Sequence, residues 1–129
     1  MSDEIKKGLL GIVVDETTIS HVVPELSALT YRGYKVQDLC DKCDFEEVAF
    51  LVLHGELPSK IQLKKFIKEE RSSRKLSKAI IRSIQQMPKN AHPMDVIRTC
   101  VSLMALEDKD TKDNSPKASM RKALRIFSQ

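Results

Sequence analysis

Apolar residues from Phe45 onward recur every third or fourth position, the spacing that places side chains on one face of an α-helix. The first of these segments begins after Asp44, and Glu47 lies three residues later. This is the spacing of a capping box, in which the two side chains bond to each other's backbone N–H groups. His54-Gly55 supplies a stop, because glycine readily adopts the left-handed conformation that ends helices. The pattern predicts a helix between Asp44 and Gly55.

Four further helix starts follow along the chain. Ser59 and Ser77 each precede an apolar periodic segment, as N-capping residues do. His92-Pro93 and Ser115-Pro116 place proline at the first helical position, where its missing N–H would have had no partner. The stripes predicted to face the core are Leu63, Phe66 and Ile67; Ile80, Ile81, Ile84 and Met87; Met94, Ile97, Val101 and Met104; and Met120, Ala123, Leu124 and Phe127.

The first part of the chain has a different pattern. Gly11–Val23 is rich in β-branched residues and is interrupted by Asp15-Glu16, which predicts two short strands around a turn. Leu29–Tyr34 predicts a further extended segment, with Gly33 permitting a turn. The predicted fold is therefore mainly α. It has a β-rich segment over residues 1–34 and a helical array over residues 35–129.

The net charge does not change the predicted fold, but it raises the question of an acidic partner. The chain has 129 residues and a formal charge of +4, and nine lysines and arginines lie between Lys60 and Arg82. Such a patch could bind nucleic acid or acidic ligands. Solvated helix faces are the favoured interpretation, because Phe66 is the patch's only aromatic residue and lies at core spacing. We expect no nucleic-acid partner.

No apolar run approaches the ~20 residues that span a bilayer. The opening Met1–Leu10 carries acidic residues early, unlike a signal peptide. We therefore expect a cytoplasmic protein with no membrane partner.

Cys40 and Cys43 form a Cys-x-x-Cys pair, which invites a zinc or redox interpretation. A structural zinc site needs four ligands, and the remaining histidines and Cys100 are scattered singly. A thioredoxin-like motif would open a helix after a strand in a βαβ unit, and no such unit is predicted. We expect both cysteines to be ordinary helix residues, with no metal site.

Three other residues are candidates for chemistry. His92 precedes a helix, where the dipole could tune an imidazole, but no acid or second histidine lies nearby in sequence to orient it. A structural N-cap is therefore favoured. Arg32 and Arg98 could bind an anionic ligand, and structural pairing is at least as reasonable for each. No catalytic residue is assigned, and any cofactor-binding residue is unknown.

Six blocks of the sequence, in order and over nearly the whole chain, resemble one enzyme family. The blocks are Lys7–Ser20, Leu29–Leu39, Phe45–Ala49, His54–Pro58, His92–Thr99 and Asp113–Pro116. They resemble short-form citrate synthases and 2-methylcitrate synthases, and the opening block most resembles the branch that handles both acyl donors. A mild departure is Asp108-Lys109-Asp110, where the family commonly has Asp-Pro-Asp.

The resemblance implies a helical homodimer with large and small domains, of which residues 35–129 would be the first part of the large domain. It implies an acyltransferase that condenses acetyl-CoA or propionyl-CoA with oxaloacetate and releases CoA. The acyl-CoA would be a co-substrate, with no permanently bound cofactor. In the family the catalytic histidines, aspartate and substrate arginines lie later in the chain than the blocks above.

The last apolar stripe still follows helical spacing at Phe127, and the chain stops at Gln129 without a helix-ending residue. We therefore expect a truncated N-terminal fragment that is inactive alone. The alternative is a small basic helical binding or dimerisation module.

Overall fold

The computed structural model describes residues 7–9 and 11–129, and within them the chain is mainly helical, as predicted. They form two compact units, Met1–Pro58 and Ser59–Gln129. None of the described helices is long and apolar enough to span a membrane. The strands are β1 (Ser20–Val23), β2 (Ala28–Tyr31) and β3 (Tyr34–Lys35), and the helices are α1 (Val36–Lys42), α2 (Phe45–His54), α3 (Lys60–Ser73), α4 (Lys78–Gln86), α5 (Pro93–Glu107) and α6 (Pro116–Ser128).

The three strands form one antiparallel sheet in the order β1-β2-β3. Ser20 pairs with Tyr31 at one end of the first ladder. Between β2 and β3 the chain turns at Arg32-Gly33, where both residues have positive φ, 49° and 87°. Two-residue hairpin turns use this conformation because its twist matches that of the flanking strands. The extended segment and the turn at Gly33 are thus confirmed.

The strand predicted at Gly11–Val14 is wrong. Residues 12–17 have no regular secondary structure, and β1 begins only at Ser20. Val13 and Val14 are mostly exposed. β-branched residues favour strands because they pack on neighbouring strands. In the described part of the chain, β1 pairs with β2, and no strand pairs with Gly11–Val14.

The predicted helix caps are confirmed in detail. At α2, the backbone N–H of Asp44 donates to Oε2 of Glu47 at 2.8 Å. Gly55 ends that helix with φ 93°. At α3, the N–H of Ser59 donates to Oε1 of Gln62 at 2.8 Å, and the N–H of Gln62 donates back to Oγ of Ser59 at 3.4 Å.

Each unit has a small core. In Met1–Pro58 the buried side chains include Leu39 of α1 and Phe50 and Leu51 of α2. In Ser59–Gln129, α3 packs on α6, and Phe66 and Ala118 are buried. The prediction that Phe66 faces the core, and so is unavailable for stacking on a nucleic-acid base, is confirmed.

The stripe predicted to be buried on α5 is largely exposed, and this is a second correction. Met94 is 61% exposed, Ile97 is 53% exposed, and no residue of α5 is buried. Periodicity shows which face of a helix is apolar, but it does not show what covers that face. No element in the described residues covers this one. The same holds in part for Ile81 and Phe127, which are also exposed.

Candidate functional site

A cleft of about 600 Å³ lies within the unit Ser59–Gln129. The beginning of α4, the end of α5, the loop that follows α5, and α6 form its walls. At the first of these walls, the hydroxyl of Ser77 accepts from the N–H of Ile80 at 3.1 Å and donates to the carboxylate of Glu107 at 3.0 Å. Other lining residues are Leu76, Met104, Asp108, Asp110, Arg121 and Arg125.

Four of the charged side chains that line this cleft are bonded to one another. Arg125 donates two hydrogen bonds to the carboxylate of Asp108, at 2.9 and 2.7 Å, and one to Asp110 at 2.8 Å. Arg121 binds Asp110 through two further bonds, at 3.0 and 2.7 Å. These four residues, here called the charge clamp, fix the loop after α5 onto α6. Charge-assisted, paired hydrogen bonds of this kind are stronger than neutral ones and fix the geometry of the groups that they join.

The clamp lowers the pKa of both aspartates. The hydrogen bond from Arg125 holds the pKa of Asp108 below its ordinary value, and bonds from Arg121 and then Arg125 do the same for Asp110. A lowered pKa in the folded state stabilises the fold at pH values above the unfolded-state pKa, ~3.9 for aspartate. That stabilisation is lost as the pH falls through the folded-state values.

We therefore expect the chain to lose stability as the pH falls below about 5, in part through this clamp. Urea unfolding of the native chain and of a variant carrying Asp108→Asn and Asp110→Asn measures the effect. The native chain should be the more stable at pH 6, and the difference should shrink as the pH falls. A difference that stayed constant with pH would contradict the assignment.

His92 has a structural position. Its Nδ1 atom accepts a hydrogen bond from the N–H of Met94 at 3.2 Å and so caps α5. The side chain is exposed. Of the described residues, no His, Cys, Asp or Glu joins it in a group that could hold a metal ion. The structural interpretation of His92 accounts for these contacts.

Replacing His92 by alanine should cost about 1 kcal/mol of stability, the usual effect of losing an N-cap. His92→Asn should retain most of that stability, because asparagine also accepts from the first turn. Unfolding followed by far-UV circular dichroism measures both variants. Equal losses for alanine and asparagine would show that the imidazole does more than cap the helix.

The two candidate arginines are also held within the chain. Arg32 donates to the carbonyl of Val52 from Nε at 3.3 Å and from Nη2 at 3.0 Å, and Nη1 donates to Oγ1 of Thr18 at 2.6 Å. This guanidinium therefore satisfies a carbonyl in the last turn of α2, which has no partner inside the helix. Arg98 pairs with Asp95 one turn away, at 3.0 Å.

The cysteines form no cluster with other ligating groups in residues 7–9 and 11–129. Cys40 lies on α1 and is exposed, and Cys43 is the residue that ends that helix. Burial is the main cause that raises the pKa of the Cys43 thiol, and Glu47 and Asp44 add to it. A raised pKa disfavours the thiolate that metals and redox chemistry need.

Sequence reasoning missed the charge clamp. Its visible signal is the pair Arg121 and Arg125, four residues apart on one helix face, after a loop that contains two aspartates. The loop conformation was not visible. The loop includes Thr111, whose hydroxyl lies 2.7 Å from the carbonyl oxygens of both Ala105 and Asp108 and shares its single proton between them.

The family model and the similar known proteins agree on a single enzyme family. The family model "Citrate synthase, C-terminal domain" matches residues 8–129. The 2-methylcitrate synthase of Mycobacterium tuberculosis strain H37Rv is 48% identical over 124 residues, which are 96% of this chain and 31% of that protein. The citrate synthase of Mycolicibacterium smegmatis is 49% identical over 123 residues, 95% of this chain and 32% of that protein.

Solved structures agree with the sequence comparison. Citrate synthase from Pyrobaculum aerophilum matches 95% of this chain and 33% of its own, with a TM-score of 0.87 and 28% identity. Citrate synthase from Thermoplasma acidophilum, solved as a ternary complex with carboxymethyl coenzyme A and oxaloacetate, gives a similar result. It matches 97% of this chain and 33% of its own, with a TM-score of 0.88 and 25% identity. The chain spans about a third of the length of these relatives. With fold, sequence and family model in agreement over nearly all of its residues, the chain belongs to the citrate synthase family.

Proposed function

We propose that this chain is the N-terminal third of a citrate synthase or 2-methylcitrate synthase. The proposal rests on the comparison with the 2-methylcitrate synthase of Mycobacterium tuberculosis. The two sequences are 48% identical over 96% of this chain, but the matched residues are only 31% of that protein. The matching family model is described as a C-terminal domain. Placement at the N-terminal end rests on the block Lys7–Ser20, which resembles the opening of the short-form enzymes. Residues 35–129 then belong to the large helical domain.

The proposed reaction is a Claisen-type condensation of acetyl-CoA or propionyl-CoA with oxaloacetate, followed by release of CoA. A base removes a proton from the carbon beside the thioester, and a hydrogen-bond donor stabilises the enolate that forms. The two donors differ by one methylene, which a pocket distinguishes by only ~1–3 kcal/mol. The complex of the Thermoplasma acidophilum relative with a coenzyme A derivative and oxaloacetate supports this substrate class.

We assign none of the chemistry of this reaction to the described residues. His92 caps a helix, Arg32 binds a carbonyl, and Arg98 pairs with an aspartate. The proposal therefore assigns this chain a scaffolding role, with acyl-CoA as a co-substrate of the whole enzyme and no permanent cofactor. We place the enzyme in the cytoplasm.

The proposal includes a homodimer. The apolar stripe of Met94, Ile97 and Val101 on α5 favours association, since each large apolar side chain gains ~1.5–3 kcal/mol when it is buried. Sedimentation of the whole protein tests this part. A monomer at micromolar concentration would contradict it.

The 129-residue chain alone should release no CoA from acetyl-CoA or propionyl-CoA in the presence of oxaloacetate. The product of the whole reading frame that contains it should release CoA from at least one donor. Sequencing of the transcript beyond the Gln129 codon defines that frame. Turnover by the 129-residue chain would contradict the scaffolding role, and an inactive whole product would contradict the proposed reaction.

A further inference from the structure

We draw no further inference here: the strongest candidate, the cleft of about 600 Å³ between α4, α5 and α6, carries none, because nothing in the described part of the chain shows what covers its apolar lining of Leu76, Ile80 and Met104.

Discussion

Replacing Leu51 by alanine should lower the free energy of unfolding of the Met1–Pro58 unit by about 3 kcal/mol. Leu51 lies in the middle of α2 and is 0% exposed. The substitution removes three buried carbon atoms and leaves a cavity that the surrounding helix and sheet can fill only in part. Urea unfolding measures the loss. Tyrosine fluorescence is a suitable signal, because Tyr31 and Tyr34, the chain's only tyrosines, both belong to this unit.

Val13→Ala is the control within the same unit, since it removes apolar atoms from a side chain that is 84% exposed. Its effect should stay within about 0.5 kcal/mol. If the two variants lost equal stability, Leu51 would not be a core residue of a folded unit. A native chain with no cooperative tyrosine transition would contradict the packing of α2 more directly.

Replacing Arg125 by alanine should cost about 2 kcal/mol, because three charge-assisted hydrogen bonds are lost together. The change leaves the carboxylates of Asp108 and Asp110 close together, with Arg121 as the remaining clamp cation. Both side chains are less than one-fifth exposed, so water replaces the lost donor poorly. Unfolding followed by circular dichroism at neutral pH measures the loss.

Two variants define the origin of that loss. Arg98→Ala removes a single ion pair whose arginine is 79% exposed, and it should change stability by less than about 0.5 kcal/mol. Arg125→Lys keeps the charge but cannot reproduce the paired hydrogen bonds, so it should restore only part of the stability. Full restoration by lysine would show that charge alone holds the loop.

The helices could be predicted from the sequence because their signals are local. Ser59, Ser77 and Ser115 each accept a hydrogen bond from the N–H three residues later, as their positions before an apolar periodic segment indicate. A cap needs only the helix that it begins. The same locality explains the correct prediction of the turn at Gly33.

Features that depend on distant partners could not be predicted in this way. The composition of Gly11–Val14 favours a strand, but a strand forms only beside another strand. The periodicity of Met94, Ile97 and Val101 marks an apolar face, but burial needs a second surface. In both cases the sequence shows a preference, and the rest of the fold decides whether that preference is met.

The same limit applies to the candidate site. The cap at His92 could be predicted from its position before the helix, and its partner, the N–H of Met94, lies only two residues away. The charge clamp joins Asp108 to Arg125, which is 17 residues later, and its geometry depends on how the intervening loop turns. Long-range pairs of this kind can be inferred only after the elements that carry them have been placed.

The contact between Arg32 and Val52 also bears on how the chain is made. Synthesis runs from the N-terminus, so the hairpin of β2 and β3 emerges before α2. Its arginine then has no carbonyl to bind until a further 20 residues have been added. The turn that carries Arg32 is a strained one for a residue with a side chain, since its φ is 49°. The bond from Arg32 to Val52 can therefore form only after the last turn of α2 has been synthesised.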